Sequence, residues 1–374
     1  MIPRRVFFHS IAGSLLGLLS PNAAKALPAG HANLESGELF LIGDGVRSGA
    51  MLPVATRSAS HPGRVKVWRP GQRQTIAIPL PFFPHAFATR PSRPQRVFTF
   101  EKWGSHMAEI DLVDLTVVRI TRAREGTRFF GHGVCSDEYV YATQMDDVNK
   151  RGVICVMDAQ SHAVVHEFNS LGTFPHDCQW LPDSNTLMVV NSRGNAYAAN
   201  KENRSSIVWL DALAGQCTRQ VFVDTNEFGY AHLARSADDF VIVAGSYDRK
   251  QHDSRPLLSI FAPDSSLGIL ELSRSLRGEA LSIYLDENRS LAAVSFPLSS
   301  CIQIWNYRTR ELLAQIPLSE PRGVVHSTKL AKAIFSSATT KGFFKLDTEP
   351  GATIATSVAS GVGGNGSHIT RVRL

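Results

Sequence analysis

Paired cysteines are missing from this sequence. Five occur, at Cys135, Cys155, Cys178, Cys217 and Cys301. None forms a CxxC, and an odd number cannot pair completely within one chain. Scattered single cysteines read as small buried apolar residues, so there is no disulfide framework here. Catalytic signatures are missing too: no HExxH, no GxSxG, no Walker loop and no CxxCH of a c-type haem site. Gly361-Val362-Gly363-Gly364-Asn365-Gly366 matches GxGxxG literally, but it opens no helix and starts no βαβ unit, which excludes a dinucleotide site. Lysine and arginine form no long run and do not alternate with aromatics, so a nucleic-acid partner has no support. Beyond residue 26 no stretch approaches the roughly 20 apolar residues of a spanning helix. Helical periodicity is almost absent.

What is present begins at the amino terminus. Pro3-Arg4-Arg5-Val6-Phe7-Phe8 resembles a twin-arginine export signal. The apolar stretch Ile11–Leu19 follows, and then the small–x–small site Ala24-Lys25-Ala26. We expect residues 1–26 to be a signal peptide cleaved near Ala26, 27–36 a linker, and 37–374 a periplasmic domain. The signal carries three basic and no acidic side chains, so its removal lowers the formal charge from +6 to +3.

The rest is organised by a repeat. Short runs rich in β-branched and aromatic residues, such as Val97–Phe100, Tyr139–Thr143, Val153–Met157, Thr186–Val190 and Leu291–Ser295, end at Asp, Asn, Gly or Pro. His176–Leu187 and Ala280–Leu291 both read as a strand, an acidic turn and a second strand. A third strand ends at Asp158, Asp211 or Asn306, and a fourth follows, as in Val164–Phe168. Four strands per unit is the pattern of a propeller blade. Equivalent starting positions fall at His85, His132, His176, His232, Ala280, Gly323 and His368, at intervals of 47, 44, 56, 48, 43 and 45 residues. These match the roughly 40–50 residues of a blade, and the polar stretch Asn191–Arg204 accounts for the long interval. The expected fold is therefore all-β, a seven-bladed propeller of the WD40 or YVTN kind. The terminal strand after His368 would join Leu39–Ile42, Arg64–Trp68 and Thr75–Ile78 in the closing blade, removing two exposed sheet edges. Six or eight blades, or a pair of β-sandwiches, are the alternatives.

The first strand of a blade is innermost, so its leading residue lies near the axial channel. Five of the seven leading residues are histidine: His85, His132, His176, His232 and His368. Neutral imidazole is the commonest nitrogen ligand of Zn, Cu and Fe. Converging rings could hold one of these metals, although the channel radius could restrict an ion to neighbouring blades. Repeated histidines can also cap strands or hold ordered water. Asp146 and Asp147 are candidate oxygen ligands, Cys135 and Cys178 lie close to two of the histidines, and Arg90, Arg93 and Arg96 could guide an anion. His106, His252 and His326 fall off the register and read as loop or surface residues.

The chain resembles a family of twin-arginine-exported propellers of unknown function, the domain of unknown function 1513. The carrying residues are Pro84-His85-Ala86-Phe87 with Arg90-Pro91, Phe130-Gly131-His132-Gly133-Val134, Arg151-Gly152-Val153-Ile154 with Asp158-Ala159, Pro175-His176-Asp177, Ala231-His232-Leu233-Ala234 and Gly366-Ser367-His368. The resemblance implies an association with imelysin-type proteins and periplasmic iron acquisition. Gln144-Met145-Asp146-Asp147 departs from the Glu-Asn-Asp-like stretch of the family, and no aromatic residue precedes His368.

Three functions fit this reading. The first is a non-enzymatic periplasmic propeller that binds a metal (iron, copper or zinc) or a metal-uptake partner at a His-lined channel mouth. The second is a channel-mouth hydrolase or oxidoreductase, which would need an acidic calcium shell or a Trp near the axis, whereas Trp68, Trp209 and Trp305 fall on outer strands. The third is a ligand-free interaction scaffold.

Overall fold

The computed structural model describes residues 37–45, 62–181, 184–192, 204–222, 228–247, 255–264, 266–270, 272–273, 275–327, 332–338, 342–346, 355–361, 363–364 and 366–374. The expected export segment and linker, most of the loop at Asn191–Arg204, and His252 lie outside the described residues. Among the described residues the regular structure is strand throughout, apart from short 3-10 turns such as Glu287–Arg289 and Pro297–Ser299.

Among the described residues the first strands are β1 (Glu38–Gly45), β2 (Gly63–Trp68) and β3 (Ile76–Leu80). There follow β4 (Pro84–Arg90), β5 (Arg93–Gly104), β6 (His106–Asp111) and β7 (Thr116–Arg122), then β8 (Thr127–Cys135), β9 (Tyr139–Asp146), β10 (Arg151–Asp158) and β11 (Val164–Asn169). The next two sets are β12 (Pro175–Leu181), β13 (Thr186–Asn191), β14 (Ser206–Asp211) and β15 (Cys217–Phe222), and β16 (Phe228–Arg235), β17 (Val241–Tyr247), β18 (Arg255–Phe261) and β19 (Leu267–Leu270). The last are β20 (Ile283–Asp286), β21 (Leu291–Phe296), β22 (Cys301–Asn306) and β23 (Glu311–Pro317), then β24 (Pro321–Ser327), β25 (Lys332–Ser337), β26 (Gly342–Leu346) and β27 (Ala355–Ala359), and finally β28 (Ile369–Arg373).

These strands build an all-β propeller of antiparallel sheets. Five are separate four-stranded blades: β28-β1-β2-β3, β12 to β15, β16 to β19, β20 to β23, and β24 to β27. The expectation of seven separate blades needs correction, because the remaining eight strands, β4 to β11, form one continuous sheet. The physical reason is the length of β5. Its 12 residues overrun its own hairpin, and Lys102 and Gly104 pair with Phe130 and Phe129 of β8. In the closing blade the terminal strand pairs antiparallel with β1, from Glu38↔Arg373 to Ile42↔Ile369.

The repeat has a local cause. At the end of the third strand of a set, a side-chain oxygen accepts from the two backbone N–H groups that follow. Asp111 takes Val113 and Asp114, Asp158 takes Gln160 and Ser161, Asp211 takes Leu213 and Ala214, and Asn306 takes Arg308 and Thr309. Such Asx turns stop one strand and start its outer neighbour. The fourth strands are largely exposed, as in β7 and β11, whereas β9 and β13 are buried almost throughout. Apolar residues of successive strand sets pack face to face. Leu39, Val65 and Ile78 of the closing blade meet Phe87, Val97 and Ile110 on one side. On the other, Phe40, Ile42 and Trp68 meet Ile334 and Phe343.

Candidate metal centre

The inner strands share one irregularity. In β4 the ladder runs from Pro84↔Glu101 to Ala86↔Phe100 and skips His85. In β12 it runs from Pro175↔Asn191 to Asp177↔Val190 and skips His176. In β16 it skips Ala231, just before His232, and in β8 the register breaks between Phe129 and Gly133, across His132. A β-bulge adds one residue to a strand, bends it and re-aims a side chain. Here the bulges turn the heads of the inner strands towards the axis. Second-strand hydroxyls hold this geometry: Thr99 Oγ1 donates to the Ala86 carbonyl and Thr143 Oγ1 to the His132 carbonyl, both at 2.9 Å.

Two glycines make the approach possible. Gly131 has φ +108°, and a Cβ there would lie 2.7 Å from His85 Cδ2 and 3.0 Å from Lys102 Cβ. A Cβ on Gly133 would lie 2.4 Å from the Phe100 ring.

The five register histidines converge. Ring centroids are 4.9 Å apart for His85–His132 and His85–His368, and 4.7 Å for His132–His368 and His176–His232. His232–His368 is 4.8 Å, His132–His176 5.3 Å and His132–His232 5.4 Å. The contacts of His368 with His132 and His232 join strand sets that are not neighbours in the ring, so the channel radius does not confine the cluster to adjacent blades. Ring nitrogens of His85, His132 and His176 lie within 4.8 Å of one another, as do those of His132, His232 and His368. His85, His132, His176 and His232 are all buried.

Two further residues complete the cluster, and neither stood out in the sequence. Asp177 lies between two of the imidazoles. Its Oδ1 is 3.2 Å from His132 Nδ1, and its Oδ2 is 3.9 Å from His232 Nδ1. The backbone N–H groups of Cys178 and Leu233 fix the carboxylate by donating to Oδ1 and Oδ2. A carboxylate facing Nδ1 sets the tautomer with Nε2 bare. The other addition is Lys102, whose Nζ is 2.7 Å from His176 Nε2. On the far side of that ring, Ser192 Oγ is 3.2 Å from Nδ1 and donates in turn to the Tyr230 carbonyl.

The electrostatics favour neutral rings. Burial, reinforced by the Lys102 charge and the neighbouring imidazoles, holds His85 and His176 well below the ordinary histidine range. Burial, then the His176, His368 and His132 rings with Lys102 after them, does the same for His232. Neutral imidazole is the form that binds a metal. The Nε2 atoms of His85, His132 and His232 are buried and accept no hydrogen bond.

The other candidates stay outside the cluster. Asp146 accepts from Val148 and Asn149 and closes the β9–β10 turn, and Asp147 pairs with Arg128. Cys135 is pushed up to about 12 by burial and Cys178 well above its usual value, each packed in an apolar core. Arg90 donates to the Asp137 carbonyl, Arg96 pairs with Glu109 and Asp111, and Arg93 is exposed. His106 and His326 are corrected from loop or surface residues to strand residues: His106 opens β6 against Glu101, and His326 stacks on Tyr284 within β24. Trp103 packs on Phe130 at 4.2 Å, and Phe130 in turn meets the His176 ring at 5.6 Å. One tryptophan therefore stands a single aromatic ring away from the cluster.

A family model described as protein of unknown function (DUF1513) matches residues 78–362, well over half of the chain. The chain belongs to this family. The DUF1513 match contains His85, His132, His176 and His232, while His368 lies beyond it. Among solved structures, this DUF1513 chain is similar to hydrazine synthase of Kuenenia stuttgartiensis (TM-score 0.63, 11% identity, 77% of this chain and 90% of that one). It is also similar to a periplasmic gluconolactonase of Pseudomonas aeruginosa (TM-score 0.59, 12% identity, 90% of this chain and 99% of that one). At such identities the likeness concerns the propeller fold alone. No curated protein matches the chain.

Proposed function

We propose that this protein is a metal-binding propeller of the periplasm, with the cluster of His85, His132, His176, His232 and His368 lining its ion site. The observation that carries the reading is the set of buried Nε2 atoms on His85, His132 and His232 that accept no hydrogen bond. Leaving one such atom unpaired costs about 1–3 kcal/mol, and one divalent ion would satisfy several at once. A bare Nε2 needs an electrophile, so the cluster suits a cation and not an anion. The donor set is neutral nitrogen without thiolate or direct carboxylate, which suits Fe2+, Cu2+ or Zn2+ over Ca2+ or Mg2+. A four-coordinate ion with bonds of about 2.0–2.1 Å sets its ligand nitrogens roughly 3.4 Å apart, so the rings would draw in slightly on binding.

The resemblance stated for the sequence favours iron, delivery through the twin-arginine route and an imelysin-type partner. We also read the eight-stranded sheet as two blades, β4 to β7 and β8 to β11, which makes seven. Supporting this, Phe98, Phe100 and Met107 of the first set pack face to face against Val140, Ala142 and Cys155 of the second.

A second reading, a channel-mouth enzyme, draws on the Trp103–Phe130–His176 contact. The test between them is elemental analysis of the mature protein purified from the periplasm without chelator or His-tag. About one equivalent of iron, copper or zinc, lost in the His132→Ala/His176→Ala double variant, is the expected result. A metal-free protein that also refuses added ions would overturn the metal reading.

A further inference from the structure

The five histidines are not equivalent. His85, His132, His232 and His368 form a connected set in which His132 and His368 each touch the other three rings, at centroid distances of 4.7–5.4 Å. His176 contacts this set only through His132 and His232, and its Nε2 faces Lys102 at 2.7 Å.

The proton inventory around His176 fixes who donates. Ser192 has one hydroxyl proton and gives it to the Tyr230 carbonyl. Its oxygen therefore accepts from His176 Nδ1–H across 3.2 Å. The neutral ring then has no proton on Nε2, and the Lys102 ammonium donates to that lone pair. The lone pair that His176 would offer a metal is already used.

Lys102 is placed there by the fold. It lies on the overrun of β5, paired with Phe130 of β8. Gly131 leaves the space its side chain crosses, since a Cβ there would stand 3.0 Å from Lys102 Cβ.

We propose that Lys102 withdraws His176 from the ligand set, so that the ion is held by His85, His132, His232 and His368 beside a resident ammonium. This rests on the reading that the cluster binds an ion, and it names the ligands within it. The lysine acts in two ways. It occupies a fifth nitrogen that would otherwise coordinate, and its charge opposes that of the incoming cation. Both weaken the hold on the ion, which suits a site that passes its metal on more than one that keeps it for good. The site takes a divalent ion of borderline softness on four imidazoles.

The test is a Cu2+ titration of the mature protein and its variants, with affinity from chelator competition and nitrogen coupling read by electron paramagnetic resonance. Wild type should take one equivalent. His176→Ala should also take one, with an unchanged spectrum, whereas His132→Ala should take none. Lys102→Met should bind at least tenfold more tightly and show a changed spectrum as His176 joins the set. The double variant Lys102→Met/His176→Ala should lose the spectral change and part of the tightening. Unfolding curves confirm that each variant is folded, and Lys102→Gln serves if Lys102→Met is not.

Copper lost as completely from His176→Ala as from His132→Ala would overturn the inference while leaving the metal site standing. Unchanged affinity and spectrum in Lys102→Met would do the same. Wild type that takes up no copper would remove the metal reading and this inference together.

Discussion

Two arcs of the propeller treat the inner ends of their strands differently. Near the inner ends of β20 and β24 the repeat positions are Ala280 and Gly323, and second-strand hydroxyls close off backbone groups there. Ser295 Oγ accepts from Ser282 N–H and donates to the Arg322 carbonyl, and Ser336 Oγ accepts from Gly323 N–H. Along β4, β8, β12, β16 and the approach to β28 the repeat positions are histidines, with His132 and His232 inside their strands rather than at the head. Their backbone is held by comparable second-strand hydroxyls, but three of the rings end in buried nitrogens without a partner. The same scaffold puts small residues at the repeat positions on one side and leaves the imidazoles of the other incomplete. The incomplete side is where a ligand is called for, because unsatisfied buried polar atoms otherwise only cost stability.

The sharpest way to break this contrast is to remove one ring from the open arc. His132→Ala should show no metal uptake in a competition titration able to detect a 100-fold loss, because His132 touches all four other rings. The exchange Ser336→Ala, on the closed arc, should leave that titration unmoved.

Asp177→Asn comes next. The amide still fills the space and can accept from Nδ1–H but no longer brings a negative charge to it, so affinity should fall 10–100-fold, the range for loss of an outer-shell carboxylate. An unchanged affinity would show that the rings do not need that charge.

Acid should act mainly on the open arc. His85, His176 and His232 are held neutral in the fold, while in the unfolded chain they protonate as pH drops below about 6.5. The unfolded state then binds more protons, so stability is full above that pH and declines as it falls. Each histidine contributes up to about 1.4 kcal/mol per pH unit. Melting curves between pH 7.5 and 5 should show this slope for apo protein, and His85→Gln should flatten it. Equal slopes would place the proton uptake elsewhere.

The remaining effect belongs to the closed arc and falls on stability alone. Ser336→Ala leaves Gly323 N–H without its acceptor and should cost about 1–3 kcal/mol, read as a lower midpoint in denaturant. A loss of metal in this variant would mean that the arcs are not independent.

The propeller and its histidine register were legible because both rest on a period in the chain. His85, His132, His176, His232 and His368 share a setting that recurs with each inner strand, and their convergence follows from the channel. The eight-stranded sheet was not legible, since the overrun of β5 depends on where β8 comes to lie. Lys102 was hidden for the same reason: it sits at no repeat position. Asp177 stands in the sequence only as one member of Pro175-His176-Asp177. In a regular strand it would point away from the face of its neighbour His176, but the bulge at His176 cancels that alternation. Strand patterning predicts sides well only where the ladder is regular.

The pairing of β28 with β1 bears on when the site can exist at all. His368 precedes the last strand by one residue, and that strand completes the closing blade. One short segment therefore carries both the latch of the ring and a ring of the cluster. During synthesis neither is available until residues 368–373 have been made, so a chain that stops short of them holds at most four of the five histidines and an open seam. Translation through β28 thereby becomes a condition for a complete cluster, enforced by topology alone.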